Sequence, residues 1–301
     1  MREVLASGRA AATDWEVPRI PLGDRFSDLV SWLKDNLGEL FDAVSDGLDT
    51  AVTTLAELLT WPPTWVMILV FAALALWLRG WKFGIAALLG FALLDGLDSC
   101  ASAMQTLSLV LLAGVVAVVI AVPLGILAAR SDSASRVVKP VMDFLQTVPQ
   151  FIYLIPAVIF FGIGVGPGVV ATVMFALAPG VRLTELGIRQ VDKEMVEAGE
   201  AFGSSPTRIL TGIQIPLAMP SIMAGVNQII MLSLSMVVIA GMVGTPGLGA
   251  DVFEATTRLQ LGAGFEYGVS VVILAIYLDR ITASLSAKSA VSRARRLAGV
   301  T

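Results

Sequence analysis

The sequence predicts an all-α polytopic membrane protein, with about seven transmembrane helices preceded by an amphipathic helix. Three observations lead there. The first is the arrangement of charge: residues 99–129 hold 31 positions without a charged side chain, 144–181 hold 38, and 209–250 hold 42. A crossing helix needs about 20 mostly apolar residues, so the two longer runs can each hold more than one element. The second is composition, 56% apolar and 15% charged with a mean hydropathy of +0.83, where soluble domains carry roughly a quarter charged residues. The third is segregation. Residues 1–60 carry 11 acidic and 5 basic residues, a balance of −6, whereas the remaining 241 carry 13 and 15, a balance of +2. Soluble proteins do not need apolar runs of this length, and a soluble fold is set aside.

The elements follow in order. The first 25 residues are polar, with Pro18 and Pro21, and are predicted irregular. From about Asp28 to Thr60, Leu29, Leu33, Leu37, Leu40, Val44, Leu48, Val52, Leu55 and Leu59 recur at steps of three and four, which is one stripe of a helix. Asp35, Glu39, Asp42, Asp46 and Asp49 fall mainly off that stripe. Such a helix is too charged to cross a bilayer; it lies in the headgroup plane, packs on the membrane body, or forms a small soluble cap. Trp61-Pro62-Pro63 ends it at a membrane surface, where Trp is favoured.

Seven crossings are then predicted: Trp65–Leu78, Phe83–Leu94, Ala103–Ala129, Val141–Phe161, Val169–Leu186, Leu217–Met242 and Glu266–Ser284. This divides the chain into an N-terminal segment (1–60), two accessory helices (61–98), a core membrane domain (99–286) with a polar loop at 187–216, and a basic tail (287–301). With the N-terminus outside, the inner loops hold 14 basic residues, from Arg79 and Lys82 to Arg295 and Arg296, and beyond the N-terminal segment only Arg258 remains outside. The positive-inside rule therefore places the loop at 187–216 and the C-terminal tail in the cytoplasm. The start lacks the pattern of a cleaved secretory signal, so the internal helices are expected to direct insertion.

That loop is the most informative stretch. Asp192–Phe202 is a good helix sequence with its acidic residues near the N-terminus. Gly203 is suited to close it in the left-handed conformation, Ser204 or Ser205 to cap a second helix, and Pro206 to open it. The second helix is expected to run through Arg208–Gln214, with Pro216 marking re-entry into the membrane. The expected form is an elbow: a short helix, a sharp Gly hinge, and a second short helix.

The same residues resemble the signature of importer permeases, which reads Glu-Ala-Ala, three residues, Gly, nine residues, Ile, any residue, Leu-Pro. Here Glu197-Ala198-Gly199 is followed by Gly203 and then by Ile213-Gln214-Ile215-Pro216, with Gly199 in place of the second Ala and Ile215 in place of Leu. From about Met104 to Thr282, some 60% of the chain, the sequence is similar to permeases of the glycine betaine/proline osmoprotectant ABC importers. The segments that carry the resemblance include 103–107, 123–130, Gln146-Thr147-Val148-Pro149, 153–157, 181–184, 220–225, 234–240 and 273–281. The resemblance implies the transmembrane domain of a type I ABC importer in the inner membrane. It implies as partners a second copy of the permease, two ATP-binding subunits and an extracytoplasmic substrate-binding protein. It also implies a coupling role for Glu197, Ala198, Gly199, Gly203, Ser205, Pro206, Ile213 and Pro216 against the ATPase.

Other features bound the function. No Lys follows a Gly, so the chain has no phosphate-binding Gly-Lys-Ser/Thr loop, and ATP and Mg are expected only on the partner ATPase. No catalytic residues and no cofactor are expected on this chain, and no binding domain is expected to be fused after Thr301. One cysteine, Cys100, and no histidine leave no metal-ligand cluster, and nothing points to nucleic acid. Gln146, Thr147, Asn227, Gln228 and Ser235 are candidates to line a translocation path; interhelical hydrogen bonding is the alternative for such residues. Aromatic residues make up 7%, without a cluster of the kind that cages a quaternary ammonium, so cargo choice falls to the delivery protein. Choline, carnitine, methionine or phosphonate are alternative cargoes. A channel or ion-coupled carrier would need intramembrane charges, which are sparse here, and a membrane scaffold leaves the elbow unexplained.

Overall fold

The structure is a computed structural model in which residues 21–287 are described; the predicted irregular start and basic tail fall almost wholly outside them. Among the described residues every regular element is a helix. Among the described residues, those up to Gly38 belong to one compact unit and those from Glu39 to a second, and the packing below lies in the second.

The amphipathic helix α1 spans Leu22–Thr60. Beyond Glu39 it packs on the membrane body, with Phe41 against the rings of Phe160 and Phe161 at 4.7 and 5.4 Å between centroids. Ser45 donates to the Phe161 carbonyl at 3.0 Å, and Val52 is buried in the main core. At Trp61-Pro62-Pro63 the chain turns by 98° into α2 (Thr64–Arg79). Proline at 62 and 63 disfavours helical backbone at the residue before each, which fixes this corner.

Helices α2 and α3 (Trp81–Gly96) form a hairpin of two 16-residue arms joined at Gly80. Gly80 has φ +93°, a conformation open to glycine and costly for other residues. Between the arms and α12 (Leu261–Ala287) sits an aromatic cluster. Phe71 stacks on Phe91 at 4.6 Å, Tyr277 meets both edge-on, and its hydroxyl donates to the Phe71 carbonyl at 3.1 Å. The polar tip of a buried tyrosine is thereby satisfied.

The core is built on α4 (Cys100–Arg130), α7 (Val165–Arg189) and α10 (Ile215–Gly241). Lipid gives helices little hydrophobic drive to associate, so close contact needs small residues. A Cβ on Gly180 of α7 would lie 2.5 Å from Ile229 of α10 and 2.9 Å from Ala121 of α4, and one on Gly187 would lie 2.6 Å from Ser221. From α4, Gly125 meets Thr184 in the same way, at 2.5 Å. Among the described residues four helices are long and apolar enough to cross a membrane, or up to six if each bent pair counts as one span. Of the seven predicted crossings, the three not among those four are the short arms α2 and α3 and the segment at 141–161.

Two elements differ from the sequence expectation. The segment predicted as a single crossing at 141–161 is broken into α5 (Asp132–Thr147) and α6 (Gln150–Phe161), bent by 101°. The break sits at Val148-Pro149. Pro149 has no N–H for the Leu145 carbonyl four residues back, and the Tyr153 hydroxyl donates to that carbonyl instead. A further helix, α11 (Leu248–Thr257), lies between α10 and α12, in a stretch assigned no element from sequence. It is pinned by the Leu248 N–H donating to the buried Thr106 hydroxyl at 2.9 Å.

Candidate functional site

The elbow is assembled by local rules. Asp192 caps α8 (Lys193–Ala201), its carboxylate accepting from the Glu194 N–H at 3.1 Å. At the other end the Ser204 N–H reaches the Gly199 carbonyl at 3.0 Å and the Gly203 N–H reaches the Glu200 carbonyl at 2.8 Å. These two bonds, with Gly203 at φ +73°, make a Schellman closure. Ser205 caps α9 (Pro206–Ile209) by accepting from the Arg208 N–H at 3.4 Å, and Pro206 occupies the first helical position.

The two arms meet at Gly199, which is buried: a Cβ there would sit 2.9 Å from Ile213 Cδ1 and 3.3 Å from Ile209 Cγ1. This contact gives Gly199 and Ile213 a shared purpose, the close crossing of α8 over the second arm. Leu210, buried with Ile188, Ala218 and Ile222, fastens that second arm to α7 and α10. Glu197, Ala198, Glu200 and Ala201 face outward, and Phe202 at the tip is 90% exposed.

The second short helix, expected to run through Arg208–Gln214 with Pro216 marking re-entry, is continuous with the sixth crossing. A π-helical turn, Leu210–Gln214, joins α9 to α10, with the Ile215 N–H reaching the Leu210 carbonyl, and the helix runs on from Pro206 to Gly241 over 36 residues. The widened turn ends just before Pro216, in the first turn of α10, where a missing N–H is tolerated.

The residues predicted to line a path are spread over two helices, α5 and α10. Gln146 and Thr147 are exposed at the end of α5, with the Thr147 hydroxyl donating to the Phe144 carbonyl at 3.1 Å. On α10, Asn227 donates to Asp279 of α12 at 3.2 Å and accepts from the Thr282 hydroxyl, joining the two helices. Gln228 and Ser235 are exposed on α10, and Ser235 donates to the Met231 carbonyl. No hydrogen bond joins the α5 pair to the α10 residues.

A third cluster was not singled out from sequence. Glu185 of α7 is buried, its side chain 4% exposed, and one of its oxygens meets the Ser135 hydroxyl at 2.8 Å, Arg189 Nε at 2.9 Å and Lys139 Nζ at 3.3 Å. Arg189 also contacts Asp132 at 2.8 Å and donates to the Ala128 carbonyl at 2.9 Å. Arg182, three residues before Glu185 on the same helix, pairs with Asp143 of α5. The available signal was the steps of three and four in Ser135, Lys139, Asp143 and in Arg182, Glu185, Arg189. Among the described residues no group of three or more His, Cys, Asp or Glu is arranged to hold a metal ion.

Residues 121–291 match the family described as the binding-protein-dependent transport system inner membrane component. The chain is 46% identical over 272 residues to the glycine betaine transport system permease protein OpuAB of Bacillus subtilis (strain 168), covering 90% of this chain and 96% of that one. It is 45% identical over 277 residues to the glycine betaine/carnitine transport permease protein GbuB of Listeria monocytogenes serotype 1/2a (strain 10403S), covering 91% and 98%. To the glycine betaine/proline betaine transport system permease protein ProW of Escherichia coli (strain K12) it is 44% identical over 270 residues, covering 90% and 76%. Among solved structures, an inward-facing MetNI methionine ABC transporter chain aligns with a TM-score of 0.58 at 20% identity, covering 62% of this chain and 93% of that one. That likeness is one of fold.

Proposed function

The chain belongs to the family of binding-protein-dependent transport system inner membrane components, and we propose that it is the permease of an ABC importer for glycine betaine and related osmoprotectants. As a family member it is a multi-pass membrane component of a transport system. The observation that carries the cargo is the 44–46% identity to three glycine betaine permeases over about nine-tenths of the chain.

The mechanism rests on the elbow. We assign the basic end of the bundle to the cytoplasm, with the N-terminus outside and the C-terminal tail inside. A compact knob with an exposed Phe202 and an acidic rim at Glu197 and Glu200 suits docking by a separate ATPase, which would hold the ATP and Mg. Two such subunits would sit beneath two copies of this chain, with a binding protein delivering cargo from outside. Closure of the ATPase subunits moves the knob, and the unbroken helix from Pro206 carries that movement into the membrane. Gly203 and Ser205 set the knob's shape, Gly199 and Ile213 its crossing, and Pro216 sits where the rod leaves it. Gln146, Thr147, Gln228 and Ser235 are assigned to the path, where their exposure on a single chain suits water or a second copy.

The test is reconstitution of the chain with its ATPase and binding protein in vesicles. ATP-dependent uptake of radiolabelled glycine betaine is expected, with choline, carnitine and proline as competitors. Uptake of methionine but not of glycine betaine would overturn the cargo, and uptake without any ATPase subunit would overturn the class.

A further inference from the structure

Helix α5 has three distinct faces. Ser135 and Met142 are buried against the body. Val137, Val141 and Phe144, at steps of four and three, are exposed on one flank, and Phe151, Ile152 and Ile155 extend this exposed apolar surface into α6. Arg136, Lys139, Asp143 and Thr147, again at steps of three and four, are exposed on the other flank. The division separates two media: the apolar flank suits lipid or a second copy, and the polar flank suits water.

The polar flank opens onto a cavity of about 270 Å³ lined by Lys139, Asp143, Arg182, Glu185, Leu186 and Arg189. Arg182 lies seven residues before the α7 end at Arg189, which is about 10 Å deeper along the helix axis. Charges at such depth face an aqueous cavity or each other, since hydrocarbon would cost each of them about 2.5–3.5 kcal/mol or more. The cavity is at the small end of ligand sites, which run from about 300 to 1,000 Å³ for drug-sized molecules, and so fits a small solute.

The two carboxylates in this cavity differ in what they can do. Glu185 is buried and shared among Ser135, Lys139 and Arg189. The Asp143 and Arg182 side chains are paired with each other and remain 61% and 41% exposed. A lone anion or cation entering here would engage one member of that pair and leave the other uncompensated. A solute with both signs of charge replaces both partners at once.

We propose that Asp143 and Arg182 form a station on the translocation path for a small zwitterion: Arg182 takes the solute's carboxylate, Asp143 faces its cationic end, and the two close on each other after it passes. The proposal rests on the importer reading above and names residues that act on its cargo. Glu185 holds α5 to α7 and keeps the two charges in register.

Two measurements on the assembled transporter in vesicles test it. Asp143→Asn and Arg182→Gln are each expected to lower glycine betaine taken up per ATP hydrolysed by about tenfold, and the exchange of Asp143→Arg with Arg182→Asp to recover most of it. Single variants with parental uptake per ATP, or an exchange no better than the singles, overturn the station. Independently, in a Cys100→Ser background, Gln146→Cys and Thr147→Cys are expected to react with a water-borne trimethylammonium methanethiosulfonate much faster than Val141→Cys and Phe144→Cys. Equal rates on the two flanks overturn the aqueous lining. Because the labelling needs no cargo, absence of glycine betaine uptake by the parent together with asymmetric labelling would fault the cargo reading and not the lining.

Discussion

The elbow at 192–214 and the charge cluster between α5 and α7 are both polar constructions at the basic end of the bundle, and they are held together in opposite ways. The elbow is exposed and its hydrogen bonds are local: cap to third residue, closure across one turn, cap again. The cluster is partly buried and its bonds join positions about 40 to 60 residues apart, Asp143 with Arg182 and Asp132 with Arg189. A locally capped knob keeps its own shape when it moves, so its movement passes to the helices it is fastened to. A cluster that ties helices together at a buried carboxylate cannot give up one member cheaply.

The sharpest way to break this contrast is at Glu185. Glu185→Leu removes the shared acceptor, but Lys139 is 57% and Arg189 35% exposed, so water and Asp132 hold the cost below the roughly 3–5 kcal/mol of a fully buried pair. A fall in the thermal midpoint of the purified complex is expected, with a smaller fall for Glu185→Gln, which still accepts from Ser135. A Glu185→Leu protein as stable as its parent would reduce the cluster to surface decoration. Next in size is Gly203→Val. Holding a residue other than glycine in the left-handed region costs about 1–2 kcal/mol, and a β-branched one more. Far-ultraviolet circular dichroism of the membrane body is expected to stay unchanged while uptake per ATP falls; normal coupling in vesicles would remove Gly203 from the mechanism.

Ser205→Ala should be milder, about 1 kcal/mol from a lost cap, seen as a several-fold weaker retention of the ATPase on an affinity column and rescued by Ser205→Asp. The smallest effect is expected at Gly199. Alanine gains up to about 1 kcal/mol in helix propensity but places its Cβ 2.9 Å from the Ile213 terminal methyl, so the two terms nearly cancel. Gly199→Ala with Ile213→Val should then be more stable than either single change. If Gly199→Ala alone is strongly stabilising, the crossing is looser than the geometry implies.

The same contrast explains what could be read in the sequence. The helices of the core announce themselves as long charge-free runs, and the elbow through Asp192, Gly203, Ser205 and Pro206, because each of those residues acts on backbone groups within five positions. The break at Val148-Pro149 was hidden, since an apolar run containing a proline reads alike whether the chain kinks slightly or turns by 101°; the deciding bond comes from Tyr153, on the far side of the bend. Helix α11 escaped because its stability comes from contact. A Cβ on its Gly249 would lie 2.2 Å from the Val237 carbonyl oxygen, while its own Asp251 and Glu254 read as a loop. The pairing of Arg182 with Asp143 is not legible either, because sequence spacing cannot reveal a partner supplied by another helix.

The joint at 210–214 has a mechanical consequence. With the wide turn ending just before Pro216, the chain makes one continuous helix of 36 residues from Pro206 to Gly241. Gly225 touches the backbone of Gly180 about midway along, so it can serve as a fulcrum, with arms of about 28 Å toward the elbow and about 24 Å toward Gly241 at 1.5 Å per residue. A tilt of about 10° about that point displaces the elbow by about 5 Å and swings the far end almost as far in the opposite direction. The lever ratio is near one, so narrowing at one membrane face and widening at the other come from a single stroke.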